Sequence, residues 1–356
     1  MDWKLLALLL FSFLLVGADL NQNAQRVQTR KIQIYSTTYN VNAMNPPHKI
    51  DWLYNKTDNN PPDLLIIGLQ EIVQLNFPKV ITGLLMELKW VKTLERSLTD
   101  KYQIIGHHRL VGIFVAVFKR VDSNFHVKQM HKASVATGLA KVYGNKGAVG
   151  ISLILDSMRL AILSSHLTAG QTQAAKRKHD FQKIAQDMHF NGPVRTLFDH
   201  DVVIWLGDLN SRLNTNNYDD VIRKINQNAL IGLLEIDQLR VSQQEKTAFA
   251  GFRELPITFK PTYKYDIGTN TFDTSKKHRT PAWCDRILFW QKLPQINIQQ
   301  LTYTSQQDIV FSDHRPVQSM FNLSLDSAEF SASEVDKSIQ EWKEQSEEGQ
   351  HDWRVF

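Results

Sequence analysis

The chain has 356 residues, 42% of them hydrophobic and 22% charged, with 16 Gly, 11 Pro and one Cys. That apolar content excludes a disordered, low-complexity or collagen-like chain, and the length fits one large domain or two ordinary ones. A single Cys excludes an internal disulfide and a multi-cysteine zinc site, while a net charge of +5 keeps polyanionic partners in view.

Met1-Asp2-Trp3-Lys4 leads into an apolar run from Leu5 to Val16, then Gly17-Ala18 and the polar Asp19–Gln22. Twelve helical residues span only about 18 Å, short of a hydrocarbon core of roughly 30 Å. Val16 and Ala18 are small residues at the two positions a signal peptidase reads, so residues 1–18 are read as a secretory signal and the mature chain as exported. Asn55-Lys56-Thr57 and Asn322-Leu323-Ser324 are glycan acceptor triplets in a secreted chain.

From Lys31 the chain reads as interleaved strands and helices. Lys31–Thr38 alternates, whereas Leu64–Leu69, Leu110–Phe118, Ala148–Leu155, Leu160–Leu163, Val202–Leu206 and Arg286–Trp290 are nearly continuous apolar runs, as in strands covered on both faces. Gln171–Met188 predicts a helix with Ala174, Phe181, Ile184, Ala185 and Met188 on one face. Lys176, Arg177, Lys178, Asp180 and Lys183 fall largely on the other. Asp219–Ile225 and Ala229–Gln238 also read as helices, and the interleaving indicates α/β layers. Only one composition break appears, near residue 325. Residues 326–356 carry nine acidic and three basic residues, a sum of −6 that leaves +11 for everything before them, and Ser333–Trp342 there reads as a short helix. A basic body suits nucleic acid, an anionic lipid surface or a polyphosphate.

The ends of the predicted strands carry the chemistry. Leu64–Leu69 runs into Gln70-Glu71, Leu160–Ser165 into His166, and Val202–Leu206 into Gly207-Asp208-Leu209-Asn210. The first strand runs into Asn40-Val41-Asn42, and Asp285 opens the run at Arg286. One polar residue after a strand is ordinary turn chemistry; five together, rich in acids and with a His, predict a site along one sheet edge. Asp208 and Asn210 project to one side of an extended segment, where a carboxylate and an amide suit deprotonating a water and holding it, or a phosphate oxygen, in line. The same residues also compose an Asp- and Asn-rich β-turn. Asp285 and His314 are candidates for a dyad in which the carboxylate holds one ring nitrogen and raises the imidazole pKa. Cys284 has apolar and aromatic neighbours and reads as a buried, inert thiol.

Six segments together carry a resemblance: Tyr39-Asn40-Val41-Asn42, Gly68-Leu69-Gln70-Glu71-Ile72, Gly144-Asn145-Lys146-Gly147, Ser165-His166-Leu167, Trp205–Arg212 (WLGDLNSR) and Pro281–Leu288 (PAWCDRIL), with Phe311–Val317 (FSDHRPV) beside them. In order from about Lys31 to Leu323, the chain resembles the inositol polyphosphate 5-phosphatases of the endonuclease/exonuclease/phosphatase superfamily. WLGDLNSR and PAWCDRIL are the specific elements, since the wider superfamily's nucleases lack the PAWCDR form. TYNVN, HDVVIWLGDLN and PTYKYD are similar to the type II subgroup.

The resemblance implies a four-layer αββα sandwich, with residues 19–325 as the catalytic domain, and a Mg²⁺-dependent phosphomonoesterase. It implies that Glu71 binds the metal, supported by Asn40 and Asn42 and by Asp313. Asp208 is then the base that activates the attacking water, with Asn210 positioning the water or the phosphate. His314, oriented by Asp285, stabilises charge on the phosphoryl oxygens, with His166 and Asn145 as further donors. Positions matching Tyr263, Lys264, Lys277 and Arg279 grip a neighbouring 4-phosphate in the family, and Lys146 matches another phosphate contact. The implied partners are a phosphoinositide or soluble inositol polyphosphate, with a peripheral anionic membrane surface, no nucleic acid and a monomeric chain. Two departures stand out: Ala140-Lys141-Val142-Tyr143 replaces a Gly-Arg-Met-like stretch before GNKG, and Thr168-Ala169-Gly170 replaces the usual Ala-Ala-His.

Two other readings remain open at this stage. A secreted nuclease of the same superfamily is favoured by the +11 body and opposed by PAWCDR. A ligand carrier on the same fold, holding a cofactor through its Cys, is opposed by the retention of Asp208, Asn210, Glu71 and His314 together.

Overall fold

A computed structural model describes residues 31–54, 61–73, 79–98, 101–138 and 146–324, with only the backbone of residues 79–82. The predicted signal, the first glycan triplet, Asn145, and the acidic tail with its short helix lie outside the described residues. Among the described residues, the first strand begins at Lys31 and the last ends at Ser324.

Eleven described strands form two sheets. The first comprises β1 (Lys31–Asn40), β2 (Leu64–Gln70), β3 (Tyr102–Leu110), β4 (Ile113–Arg120), β10 (Ile298–Ser305) and β11 (Val317–Ser324), in the order β10-β11-β1-β2-β4-β3. The second comprises β5 (Val127–Ala136), β6 (Gly147–Leu155), β7 (Met158–His166), β8 (Val202–Asp208) and β9 (Asp285–Gln291), in chain order. Alternation along these runs fills three apolar layers. Ile34, Leu64, Ile66, Val115 and Val117 pack with Ile151, Ile162, Val202, Ile204 and Leu206 between the sheets. Leu65, Ile67, Phe114 and Phe118 point the other way, onto Trp90 and Leu94 of helix α1 (Lys79–Leu98). Leu163, Val203 and Trp205 likewise meet Phe181 and Ile184 of helix α2 (Ala174–Asp187). Helix, sheet, sheet and helix make the expected four layers, and burial on both faces explains the continuous apolar runs.

Three local expectations are corrected. Leu110–Phe118 is not one strand: Val111, at φ +51°, and Gly112 turn the chain between β3 and β4. Ala229–Gln238 is not one helix but α4 (Ile231–Leu234), a break, and α5 (Gln238–Gln244). The break falls at Asp237, whose carboxylate accepts from Arg240 N (3.1 Å) to cap α5, from Ser211 Oγ (2.8 Å) and from the buried Arg286 (2.9 Å). On α2, Arg177 and Asp180 are buried rather than outward. Arg177 donates to the carbonyls of Thr168 (3.0 Å) and Gly170 (2.8 Å), and Asp180 accepts from Thr168 N (2.8 Å). Both grip the loop leaving His166. Asp219–Ile225 lies within helix α3 (Tyr218–Asn226), as read.

Candidate active site

Strand register builds the site. Across the second sheet, Gly147 pairs with His166, His166 with Asp208, and Asp208 with Asp285, so four strand ends deliver their residues in one row. In the first sheet Asn40 pairs with Gln70, which places Glu71 one residue beyond. Gln70 is buried and donates to Thr38 (3.2 Å) in its own sheet and to Ser164 (3.1 Å) in the facing one, tying the two edges together. Gly207 is needed where the row turns. It sits at φ +147°, and a side chain there would press into the Ser165 carbonyl oxygen.

Asp208 is the hub. Its Oδ2 accepts from Asn40 Nδ2 (3.0 Å), lies 3.2 Å from His166 Nε2 and is 3.9 Å from His314 Nε2, while Oδ1 accepts from the backbone of Asn210 (3.0 Å). Burial alone would raise the Asp208 pKa, yet His166, His314 and Lys146 hold the carboxyl far below its ordinary range. Lys146, with its own pKa lowered by burial, lies against His166 Nε2.

His314 and Asp285 form the expected dyad, with Nδ1 2.9 Å from Asp285 Oδ2. Thr262 Oγ1 donates to the same carboxylate oxygen (2.6 Å), a partner that sequence reasoning did not supply. Burial would lower the His314 pKa, but Asp285, with Asp208 and Asp313 behind it, outweighs burial and pushes the value up to about 9. His314 is therefore an imidazolium at neutral pH, with its Nε2–H on the Asp208 side.

Glu71 is the most open acid of the group, its side chain 34% exposed. It accepts from Asn40 Nδ2 (3.2 Å) and lies 3.8 Å from His166. Asn42 contributes its backbone N–H to Asn40 Oδ1 (3.0 Å), and Ser312 Oγ donates to the Asn40 carbonyl (2.7 Å). An accessible carboxylate next to a second carboxylate is an oxygen-donor pair that fits a hard divalent cation keeping several waters, and Asn40, with Nδ2 on both acids, orients them. Asp208, Asp285 and His314 also come within 4.8 Å of one another. A protonated His314 has no lone pair to offer, whereas Asp285 Oδ1 is buried without a hydrogen-bond partner and Glu71 is open, so either acid could hold a cation beside Asp208.

The basic rim is partly assembled. Lys264 Nζ pairs with Asp313 Oδ2 (2.6 Å), which places Asp313 on the rim. Tyr263 packs its ring 4.5 Å from that of His314. Arg279 bonds through its backbone to Asp273 (2.9 Å), which organises the loop, and Lys277 is exposed. Cys284 is fully buried, 3.4 Å from the Ser211 carbonyl, and burial pushes its thiol pKa well up, which leaves it neither a nucleophile nor a ligand.

A carboxylate held ionised, an imidazolium opposite it and an open acid beside them are groups suited to hydrolysing a phosphate ester. The endonuclease/exonuclease/phosphatase family 2 matches residues 37–320. The inositol-1,4,5-trisphosphate 5-phosphatase 1 of Schizosaccharomyces pombe is 36% identical over 305 residues, which are 83% of this chain but 27% of that protein. Among solved structures, the inositol polyphosphate 5-phosphatase domain of SpSynaptojanin, in complex with inositol (1,4)-bisphosphate and calcium ion, is 31% identical. It matches at TM-score 0.74, over 94% of this chain and 98% of that one. The fold alone is shared with the Cimex nitrophorin ferrous NO complex, at 22% identity and TM-score 0.67, over 83% of this chain and 99% of that one. The chain belongs to the endonuclease/exonuclease/phosphatase family and, within it, to the inositol polyphosphate 5-phosphatase catalytic domains.

Proposed function

We propose that this chain is a Mg²⁺-dependent phosphomonoesterase that removes the 5-phosphate from phosphatidylinositol 4,5-bisphosphate, the 3,4,5-trisphosphate lipid or soluble inositol polyphosphates. The observation that carries this reading is the row of His166, Asp208 and the Asp285–His314 dyad, facing Asn40 and Glu71 across the sandwich. Asp208 orients the attacking water and takes its proton as the new P–O bond forms and the ester P–O bond to the ring breaks, the departing ring oxygen gaining a proton from solvent water. Because its pKa is held low, it is a weak base, and alignment is the larger part of its contribution. His314, steadied by Asp285, donates to the phosphoryl oxygens as their charge is redistributed, and Lys146 and His166 add positive or donor groups beside it. Glu71, supported by Asn40, would hold Mg²⁺, which would supply charge neutralisation at the phosphate. Lys264, Tyr263, Lys277 and Arg279 suit a neighbouring phosphate on the ring.

The test is phosphate release from short-chain phosphatidylinositol 4,5-bisphosphate with Mg²⁺ and with EDTA, using Asp208→Asn as control. Metal-dependent release that the variant loses is expected. A folded protein inert towards the lipids and the soluble inositol polyphosphates overturns the proposal. Export belongs to the same reading and rests on the apolar run Leu5–Val16. Protein collected from the medium of expressing cells is expected to begin at Asp19, and retention with Met1 intact refutes it. Peripheral contact with anionic membrane through the basic body, and action as a monomer, complete the proposal.

A further inference from the structure

The Asn210 side chain can be oriented from its neighbours alone. Arg212 has only donors, so the Asn210 atom 2.6 Å from its Nη2 is Oδ1. The Leu167 carbonyl can only accept, so the atom 3.1 Å from it is Nδ2. The backbone of Asn210 is fixed as well, at φ +52° with its N–H on Asp208 Oδ1. Nδ2 carries two protons, and Leu167 takes one.

Arg212 is itself held on several sides. It is 6% exposed, its backbone N–H donates to Gln238 Oε1 (3.3 Å), and its guanidinium carbon lies 4.3 Å from the centre of the Tyr263 ring. That ring in turn packs on His314. One planar cation therefore touches Asn210 through an in-plane N–H and Tyr263 through its face, which a lysine ammonium does not reproduce.

We propose that Arg212 is a positioning residue that locks the Asn210 amide with Oδ1 turned away, so that Asn210 serves hydrolysis as a hydrogen-bond donor to a phosphoryl oxygen and not as an acceptor for the water proton. The inference rests on the 5-phosphatase reading and adds to it a residue with a defined task. Arg212 lies within the WLGDLNSR segment, where the sequence alone marks no task for it.

The test is a double-mutant cycle on phosphate release, with thermal unfolding of each variant alongside. Arg212→Lys is expected to lower kcat at least about tenfold with KM changed less than about threefold, because the lost alignment matters in the transition state. Asn210→Ala is expected to lower kcat as far or further, and the double variant to be no worse than Asn210→Ala alone within about twofold. Losses that multiply overturn the assignment of Arg212 to Asn210. Asn210→Asp tests the donor role without touching Arg212, since the carboxylate keeps the Arg212 pair but has no proton to give. It is expected to fall as low as Asn210→Ala, and activity within about threefold of the parent chain overturns the donor assignment. A parent chain that releases no phosphate overturns the 5-phosphatase reading, and this inference with it.

Discussion

Replacing Asp285 by Asn tests the charge on His314. The imidazole pKa is pushed up to about 9 from its ordinary 6.5, against a burial effect of opposite sign. A lift of roughly 2.5 units corresponds to about 3 kcal/mol of preference for the imidazolium. Because the folded value is raised, that stability is fully present below about pH 6.5 and is lost as pH climbs through about 9. In Asp285→Asn, burial is opposed only by the more distant Asp208 and Asp313, so the His314 pKa falls well below about 9 and the protonated fraction at pH 7.5, roughly 97% in the parent, drops with it. The Asn side chain still accepts from Nδ1–H and still bonds Thr262, so geometry changes little while charge changes much. In pH profiles of kcat, the alkaline limb is expected near 9 in the parent and at least about one pH unit lower in the variant, with kcat at about pH 8 and above falling most. Urea unfolding is expected to show a larger penalty for the variant at pH 6 than at pH 10. An alkaline limb that stays near 9, or equal penalties at both pH values, refutes the assignment.

Two further outcomes follow from the packing. Gly207→Ala puts a methyl group against the Ser165 carbonyl at a φ of +147°, and is expected to cost about 2–3 kcal/mol in urea unfolding and to displace Asp208 enough to abolish phosphate release; a parent-like midpoint contradicts this. Cys284 is expected to be inert to an aromatic disulfide reagent in the native protein and to react once per chain in denaturant. Cys284→Ala should keep kcat within about threefold while losing about 1–2 kcal/mol of stability, and rapid labelling of native protein refutes the buried placement.

The interior strands were legible because both of their faces are buried, so β2, β6 and β8 show in the sequence as unbroken apolar runs. Strands β5 and β10 lie at sheet edges, and their exposed positions dilute that signal with Lys, Gln and His. Helix α1 is blurred for the opposite reason. Leu84, Leu85 and Leu88 are exposed and spread apolar residues around the helix, away from the face carrying Trp90 and Leu94. The site residues were legible as types at strand ends. What the sequence could not supply was register: that His166, Asp208 and Asp285 fall in one row follows from pairing, a long-range property. Supporting groups such as Thr262, Arg177 and Asp180 were missed because they act from loops and a helix end distant in sequence. Polar residues on a predicted helix are assigned outward by default, and Arg177 is buried because two carbonyls of the Thr168–Gly170 turn and the Gln238 side chain accept from its guanidinium.

Charge in the row links metal to phosphate. His314 is already matched by Asp285, Lys264 by Asp313, and Lys146 and His166 crowd beside Asp208, so little positive charge is unmatched. A phosphomonoester brings roughly −1.5 to −2 into that row, and buried charge without a partner is strongly disfavoured. A divalent cation held at Glu71, as proposed, would add two positive charges that restore the balance and would give that carboxylate a partner. Inorganic phosphate and Mg²⁺ are therefore expected to raise each other's affinity by one common factor, on the order of tenfold or more, in titration calorimetry without turnover. Glu71→Gln removes the negative charge that draws the cation and is expected to abolish the linkage while leaving metal-free phosphate binding intact or slightly tighter. Phosphate binding that is the same with and without Mg²⁺ refutes the coupling, and assigns the anion to Lys146 and His314 alone.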